Sequence, residues 1–196
     1  PAVVSRMKTK LTTLLLLGAL ALALAPLHRQ RSGAWQCQRQ HPAGNHRHDV
    51  PRYMGTWYEI AKYPNWFQRK CAQGTRADYR LAEAGQVSVT NRCRTADGET
   101  IEAMGLARQI GPVTSPKLQV RFAPAWLSFL PFVWGNYWVI DLDEAYQLAA
   151  ISEPGRDYLW ILARTPTVDT AVYDALLARL AARGFDLKRL ERSKPD

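Results

Sequence analysis

The sequence is poor in the residues on which many enzyme and metal sites depend. Its 196 residues include three cysteines and four histidines, and no histidine follows residue 48. No Cys-x-x-Cys pair occurs, which removes a common signal for structural zinc or thioredoxin-like redox chemistry. Basic residues are scattered and not gathered in a run, so the clustered basic face of a nucleic-acid binder is missing. We therefore expect no metal, no cofactor and no nucleic-acid partner.

Apolar and aromatic residues are abundant instead. Hydrophobic residues make up 47% of the chain and seven residues are tryptophan, a composition that argues against disorder. Trp is difficult to bury completely, so many of them suggest a lined cavity or a membrane-facing rim. The length suits one domain with a good core, preceded by a leader.

The first 25 residues have the pattern of a secretory signal. Lys8 and Lys10 form a basic region before a non-polar run over residues 11–24, which is short for a bilayer span and right for a signal sequence. We expect a signal peptide with an upstream extension over residues 1–25; the alternative is an uncleaved anchor. Its removal lowers the formal net charge from +9 to +6, a balance that favours an anionic membrane surface or an acidic lipid head group.

Residues 26–50 are polar and are expected to form a flexible linker. Three of its four histidines, His41, His46 and His48, could bind a metal, but a solvated tail is the simpler interpretation. Cys37 would be a lipidation site if small residues preceded it, and Gln36 does not suit that processing. Export places the cysteines where disulfides persist, and three of them allow only one intramolecular bond.

Residues 51–192 are expected to form one all-β domain. Short apolar-alternating segments follow each other at regular spacing, separated by turn signals such as Asp97-Gly98 and Pro154-Gly155. This favours an eight-stranded antiparallel up-and-down β-barrel over a parallel sheet, because no helical stretch lies between the strands. The predicted strands cover residues 55–63, 73–81, 86–93, 99–110, 117–122, 136–142, 146–153 and 157–164.

One helix is predicted after the barrel and is expected to pack outside it. Apolar residues recur at helical spacing from Val172 to Leu180. Asp169 can cap its N-terminus, and Gly184 followed by Phe185 can end it. Residues 185–190 are expected to add a short edge strand.

Strand alternation predicts the barrel interior. If Trp57 points inward at a closed end, then Glu59, Ala61 and Tyr63 share its face. In the next hairpin, the apolar face carries Thr75, Ala77, Tyr79 and Leu81 opposite Val87, Val89 and Asn91, while the other face is charged. The last strand places Tyr158, Trp160, Leu162 and Arg164 together. Such an interior suits a hydrophobic ligand with one polar end, and the expected ligand-binding residues are Glu59, Ala77, Tyr79, Val89, Asn91, Tyr158 and Trp160.

A barrel filled by its own side chains is the alternative. The small residues Ala61, Ala77 and Thr75 favour a real cavity. Trp57 and Arg164 can meet at the closed end, where a guanidinium over an indole face is worth about 0.5–2 kcal/mol.

The opposite end of the barrel should be its mouth, and an uncharged loop lies there. Residues 123–134 contain no charged side chain, although loops at a barrel mouth are usually polar. Membrane or lipid contact, a lid over the mouth and a homodimer contact all remain open. The residues expected at this surface are Trp66, Phe67, Trp126, Phe129, Phe132 and Trp134.

Cys71 and Cys93 fall at the same end on paired strands. In the simplest register Leu81 faces Gln86 and Cys93 faces Gly74, so a bend at residues 72–74 would have to bring Cys71 within disulfide distance. We expect this bond.

Three ordered motifs give the chain a resemblance to the lipocalin family, specifically to its bacterial lipocalin and apolipoprotein D-like branch. They are Gly55-Thr56-Trp57-Tyr58-Glu59-Ile60-Ala61, the segment YWVIDLDEAY at 137–146, and LWILARTP at 159–166. The resemblance covers residues 52–190. It implies an eight-stranded barrel with a C-terminal helix that binds fatty acids, lysophospholipids or similar lipids, and it makes Trp57 and Arg164 a structural pair.

In bacteria the resemblance also implies an envelope protein, often an outer-membrane lipoprotein linked to membrane maintenance or stress. The missing lipidation box before Cys37 favours a soluble periplasmic protein. The leading interpretation is a non-catalytic carrier. Its rivals are an isomerase-like enzyme of the same fold and a haem or metal carrier, for which the barrel offers one inward carboxylate, Glu59, and no histidine.

Overall fold

The structure, a computed structural model, describes residues 49–196. The predicted signal peptide and most of the linker, including Cys37 and the histidines, lie outside the described residues. Eight antiparallel strands follow each other around a closed barrel. The strands are β1 (Gly55–Lys62), β2 (Gln73–Leu81), β3 (Val87–Arg94), β4 (Thr100–Gln109), β5 (Lys117–Arg121), β6 (Gly135–Leu142), β7 (Leu148–Ser152) and β8 (Leu159–Ala163). The barrel closes because β1 pairs with both β2 and β8.

All eight predicted strands are present, and their ends lie within two residues of the prediction. Their inward side chains form one apolar layer inside the barrel. A second apolar layer lies outside it, between β1, β6, β7, β8 and the C-terminal helix. Strands buried on both faces read as continuous apolar runs, which is why β7 and β8 show little polar alternation.

A β-bulge in β1 corrects one prediction. The pairing with β8 shifts between Glu59 and Ala61, so Ile60 is the extra residue. Ala61 and Tyr63 consequently lie in the outer layer against the helix and not on the inward face of Trp57. The small side chain of Ala61 therefore adds no space to the barrel interior.

The helix α2 (Thr170–Ala182) packs on the outer layer as predicted. The Asp169 carboxylate accepts hydrogen bonds from the backbone N–H groups of Ala171 and Val172, at 2.9 and 3.1 Å. Gly184 ends the helix with φ of +83°, and it donates to Ala181 while the next amide donates to Leu180. This is the Schellman arrangement that a glycine at this position permits.

A buried carboxylate joins the helix to the barrel. Asp141 on β6 accepts two hydrogen bonds from the Arg179 guanidinium, at 2.9 and 3.0 Å. Arg183 approaches the same carboxylate at 3.2 Å. The hydrogen bond to Asp141 raises the pKa of Arg179 above its usual value. Bidentate pairing of this kind fixes orientation as well as adding energy.

The short edge strand lies later than predicted. Residues 187–189 form a 3₁₀ turn, and the strand β9 is Glu191–Arg192, which pairs with Ala61 and Lys62 of β1. The backbone continues to β2, where the Gly74 N–H donates to the Lys194 carbonyl at 2.9 Å. The C-terminal segment thus fills the gap where β1 and β2 separate.

The closed end of the barrel, called the floor below, is covered by a short helix that the sequence analysis did not predict. The helix α1 (Val50–Tyr53) begins at Asp49, whose carboxylate caps Arg52 N–H, with Pro51 in the first turn. The helix thus straddles the predicted boundary between the linker and the barrel. Tyr53 stacks on the Trp57 ring with centroids 4.6 Å apart.

The expected contact between Trp57 and Arg164 is present at the floor. The guanidinium carbon lies 4.1 Å from the centroid of the Trp57 ring, which is fully buried. Arg164 also donates to three backbone carbonyls, those of Arg52, Thr56 and Tyr146 at 2.9–3.2 Å. Gly55 has φ of +101°, and a Cβ there would lie 3.1 Å from the Arg164 guanidinium. Glycine is therefore required on both backbone and steric grounds.

Candidate functional site

The barrel encloses a cavity of about 930 Å³ that extends from α1 at the floor to the loops at the opposite end. This opposite end, called the mouth below, carries the β1–β2, β3–β4, β5–β6 and β7–β8 connections. The lining is largely apolar and aromatic, and the volume lies at the upper end of the range for ligand sites. The alternative of a barrel filled by its own side chains does not hold.

The β2–β3–β4 wall places four of the predicted residues in the cavity lining. Ala77 pairs with Asn91, and Tyr79 pairs with Val89. The predicted register was wrong by one residue, since Leu81 lies opposite Val87 and not Gln86. Leu81 itself, expected to face inward, is 56% exposed at the strand end.

Asn91 is the polar point of this wall. It lies between Ala77 on β2 and Ala103 on β4, so small side chains flank it. Within residues 49–196 its amide has no hydrogen-bond partner, and the side chain lines the cavity. An amide in this position can donate and accept one hydrogen bond each with a bound molecule.

The β8 wall is aromatic. Tyr158 and Trp160 stack with ring centroids 5.7 Å apart and an angle of 12°. Phe67 from the β1–β2 loop approaches both rings, at 5.7 and 6.2 Å. All three line the cavity, so one side of the cavity near the mouth is a flat, polarisable surface.

Glu59 lies on the neighbouring strand β1, opposite Leu162 of β8, and both of its carboxylate oxygens accept hydrogen bonds. Its side chain is only 2% exposed and pairs with Lys62 at 2.9 Å. Gln68 and Ser193 donate to its two oxygens, at 2.7 and 2.6 Å. A carboxylate held in this way is poorly suited to remove a proton from a substrate. Its hydrogen bond with Gln68 restricts the orientation of that side chain.

Gln68 was missed by the sequence analysis. Its Oε1 accepts hydrogen bonds from the Trp160 indole at 3.0 Å and from Asn65 at 2.6 Å. It therefore couples the β1–β2 loop to the β8 wall. Loop side chains have no fixed periodicity, and no sequence pattern indicated its direction.

Three tyrosine hydroxyls meet deep in the cavity. The Tyr137 hydroxyl lies 2.9 Å from that of Tyr53 and 3.0 Å from that of Tyr79. Burial raises the pKa of Tyr79 to about 12 and raises the pKa values of Tyr53 and Tyr137 well above their usual value. The cluster is therefore neutral at ordinary pH. Only Tyr79 was predicted here; the alternation along β6, with Trp138 outward, could have identified Tyr137.

Five aromatic side chains, here called the rim aromatics, are exposed at the mouth. They lie on the β1–β2 loop and on the uncharged β5–β6 loop, which contains two 3₁₀ turns. Their exposed fractions are 50% to 80%, and they are Trp66, Phe67, Trp126, Phe129 and Phe132.

Trp134 does not belong with them, contrary to expectation. It is 9% exposed, and the guanidinium carbons of Arg108 and Arg121 lie 4.0 and 5.4 Å from the centroid of its ring. Its indole N–H donates to the Ser128 carbonyl at 2.8 Å. Trp134 thus fixes the β5–β6 loop, which carries Trp126, Phe129 and Phe132.

The predicted disulfide is confirmed. Cys71 and Cys93 are bonded, with Cα atoms 5.4 Å apart. The expected bend is also present, because the β2–β3 pairing shifts between Gln73 and Arg76. The bond ties the β1–β2 loop to β3 beside the cavity.

Among residues 49–196, the helices are too short or too polar to cross a bilayer.

Comparison with known proteins agrees with this architecture. Residues 48–195 match the family described as the lipocalin-like domain. The outer membrane lipoprotein Blc of Escherichia coli K12 is 40% identical over 142 residues, covering 72% of this chain and 76% of that protein. Apolipoprotein D of Macaca fascicularis is 33% identical over 184 residues, covering 90% and 92%.

A solved structure shows the same fold. The cockroach allergen Per a 4 superposes with a TM-score of 0.62 at 18% identity, covering 79% of this chain and 92% of that one. The family match over residues 48–195 includes all three motifs identified in the sequence. The chain belongs to the lipocalin family, in the branch that includes the bacterial lipocalin Blc and apolipoprotein D.

Proposed function

We propose that the protein is a non-catalytic carrier of a fatty acid, a lysophospholipid or a similar single-chain lipid. The observation that supports this most strongly is the aromatic and apolar cavity of about 930 Å³, open at the mouth. Burying a CH₂ group contributes about 0.8 kcal/mol. A long acyl chain therefore gains enough to offset the roughly 4–15 kcal/mol cost of association and reach micromolar affinity.

The lining suits binding better than chemistry. Glu59, the carboxylate expected to face inward, is held by Lys62, Gln68 and Ser193. Asn91 and the tyrosine hydroxyls offer neutral hydrogen bonds, which orient a ligand without reacting with it. We assign Ala77, Tyr79, Val89, Asn91, Tyr158 and Trp160 to ligand contact and Glu59 to the support of Gln68.

The proposed setting is the bacterial cell envelope, where the carrier would serve membrane maintenance under stress. The N-terminal signal pattern supports export to the periplasm, and the relative Blc is named an outer membrane lipoprotein. The rim aromatics supply the membrane contact. An exposed, uncharged group of Trp and Phe side chains is typical of an interfacial surface and unusual for a loop in water. Of the three alternatives for this loop we propose membrane contact.

The cavity is tested by filling it. Ala103 faces the cavity and is not tightly packed, so Ala103→Trp should occupy the space without disturbing the fold. Delipidated wild-type protein should bind a fluorescent fatty acid with micromolar or better affinity, and palmitate should displace it. Ala103→Trp should weaken binding at least tenfold.

The control is Ala175→Trp, which adds the same ring on an exposed position of α2. It should bind like the wild type, and circular dichroism should show that both variants are folded. Absence of binding by every long-chain lipid at micromolar concentration would refute the carrier role. Equal binding by both variants would place the ligand elsewhere.

A further inference from the structure

The β1–β2 loop, residues 63–72, is fixed at both of its ends. At its start, the Tyr63 backbone N–H donates to the Leu159 carbonyl of β8 at 2.8 Å. Near its end, the disulfide from Cys71 to Cys93 ties it to β3. Any movement of the middle of the loop therefore takes place between two fixed ends, as in a flap.

Gln68 holds the middle of this loop to the barrel. Its Nε2 donates to the Glu59 carboxylate at 2.7 Å, and its Oε1 accepts from the Trp160 indole at 3.0 Å. In the part of the chain that the structure describes, no other hydrogen bond joins residues 64–70 to the strands. The neighbouring Phe67 ring lies 6.2 Å from the Trp160 ring. The loop thus closes over the aromatic side of the cavity through very few contacts.

The chemistry of Glu59 determines which way the Gln68 amide points. A carboxylate paired with Lys62 only accepts hydrogen bonds, and an indole N–H only donates them. The Gln68 amide must therefore turn its NH₂ group toward Glu59 and its oxygen toward Trp160. The reverse orientation would place two acceptors together at Glu59 and two donors together at Trp160. A charge on β1 thus fixes a contact on β8 through one loop side chain.

Glu59 is itself held in place independently of the loop. Lys62 pairs with its Oε1 at 2.9 Å, and the Ser193 hydroxyl donates to the same oxygen at 2.6 Å. The backbone N–H of Ser193 also donates to the Ile60 carbonyl at 3.0 Å. Because these contacts use one carboxylate oxygen, the other remains for Gln68. The carboxylate therefore keeps its position when the loop moves.

We propose that Gln68 is the latch of a lid, formed by the β1–β2 loop, that controls how fast a ligand enters and leaves the cavity. With the latch closed, Phe67 and Gln68 lie against the β8 side of the mouth, where both line the cavity. With the latch open, the middle of the loop moves outward and widens the mouth. This inference rests on the proposed carrier function and adds the residues that govern exchange, Gln68 as the latch and Glu59 as its positioning residue.

The test breaks the match of donors and acceptors at one residue at a time. Glu59→Gln replaces an acceptor by a donor, so that either Lys62 or Gln68 loses its partner, and Gln68→Glu sets two carboxylates against each other. In stopped-flow experiments, both variants should release a fluorescent fatty acid at least tenfold faster when it is chased with excess palmitate. Entry should accelerate as well, because the latch joins groups of the protein in the empty and the loaded state alike. The dissociation constant should therefore change by less than about threefold.

The double variant Glu59→Gln/Gln68→Glu exchanges the two groups and restores the match. The amide at position 59 donates to the carboxylate at position 68, which still accepts from Trp160, while Lys62 keeps the amide oxygen as its acceptor. Entry and release should return to within about threefold of the wild-type rates, because the coupling between the two positions is then regained. A double variant as fast as the single variants would overturn the assignment of Glu59 as the positioning residue.

A matched control makes the same substitutions at the floor. Glu83 and Gln86 lie in the β2–β3 connection, outside the cavity lining. Glu83→Gln, Gln86→Glu and their combination should exchange the fatty acid at the wild-type rates, and circular dichroism should show that every variant is folded. Acceleration in these controls equal to that at the latch would assign the effect to surface charge and overturn the proposal.

Hydrogen exchange in the ligand-free protein tests the latch without any lipid. The Gln68 N–H donates to the Asn65 side chain at 3.0 Å, and the Cys71 N–H donates to the Gln68 carbonyl at 2.9 Å. Both amides should exchange at least tenfold faster in Glu59→Gln and in Gln68→Glu, and at nearly the wild-type rate in the double variant. Equal exchange in all variants would overturn the latch, whether or not a lipid binds.

The remaining outcomes separate the lid from the carrier function. Faster release with unchanged entry would make Gln68 a part of the binding wall and overturn the lid, while the carrier function would stand. Absence of long-chain lipid binding by the wild type, together with the predicted pattern of hydrogen exchange, would overturn the carrier function and support the latch as a property of the loop.

Discussion

The floor and the mouth of the barrel both contain tryptophan and arginine side chains, but Trp57 at the floor is buried and Trp126 at the mouth is exposed. At the floor, Trp57 is fully buried, Arg164 covers its face, and its indole N–H donates to the Tyr53 carbonyl. At the mouth, Trp126 is 72% exposed on a loop without charge. The same residue type closes the barrel at one end and faces solvent at the other.

The difference lies in what surrounds each ring. Several independent contacts hold the floor together. Tyr53 stacks on Trp57, and the Arg164 cation, which covers the Trp57 ring, also donates to three backbone carbonyls. Loss of one contact there disturbs the rest. At the mouth, Trp134 packs against the guanidinium groups of Arg108 and Arg121, but the rim aromatics remain at least half exposed. Stability should therefore depend on the floor and ligand or membrane contact on the mouth.

The largest effect is expected at the floor. Trp57→Ala should lower the free energy of unfolding by about 3–5 kcal/mol, because it leaves a cavity under Arg164 and removes the partner of the guanidinium. Urea denaturation monitored by circular dichroism measures this loss. The matched change Trp126→Ala at the mouth should cost no more than about 0.5 kcal/mol. Equal losses for the two variants would show that stability does not depend more on the floor than on the mouth.

The next effect concerns the covalent brace of the mouth. The Cys71–Cys93 bond spans 22 residues of sequence, for which loop-closure entropy predicts about 3 kcal/mol of stabilisation. Cys71→Ala/Cys93→Ala should lose roughly that amount in urea denaturation. Hydrogen exchange around residues 71–75 should accelerate by more than the loss of global stability explains. Exchange of the amides near Trp57 should change only by the amount that this loss explains. Faster exchange confined to the floor would contradict a local role.

The strands could be predicted because their side chains alternate with a period of two, and burial on one face makes that alternation visible. Ala77, Tyr79, Val89 and Asn91 were placed correctly in the lining by parity alone. The bulge at Ile60 could not be predicted in the same way. Its neighbour Ala61 is apolar and small, so either layer accepts it, and no local signal marks the extra residue.

Other parts of the site depend on contacts distant in sequence. Gln68 gains its position from Glu59 and Trp160, on two different strands. The C-terminal segment inserts beside β1, which the predicted edge strand at 185–190 did not anticipate. The helix α1 is a different case, since Asp49 followed by Pro51 is a readable start signal.

A smaller effect should appear in alkali, where the tyrosine cluster above the floor ionises. The folded pKa of Tyr79 is about 12, against about 10 in an unfolded chain. The folded state therefore holds its proton more tightly, and the associated stability is fully present below pH 10 and lost as the pH rises toward 12. At pH 11 this residue alone accounts for a loss of about 1.4 kcal/mol. Urea denaturation at pH 9 and 11 should show a smaller drop for Tyr79→Phe than for the wild type.

The smallest effect on stability is expected for the rim aromatics of the β5–β6 loop, although their replacement should have the largest effect on membrane binding. Trp126, Phe129 and Phe132 are exposed and belong to neither apolar layer, so replacing all three by serine should leave the free energy of unfolding within about 1 kcal/mol of the wild-type value. Their insertion into a lipid interface would bury aromatic surface, and flotation with vesicles containing anionic lipid should fall at least tenfold.

The control is Met104→Ser/Val113→Ser, which removes two equally exposed apolar side chains away from the rim and should float like the wild type. Palmitate binding should persist in both variants. If the triple variant instead converts a dimer to a monomer in sedimentation velocity while vesicle binding is unchanged, the rim is a contact between copies of the chain and the membrane proposal is wrong.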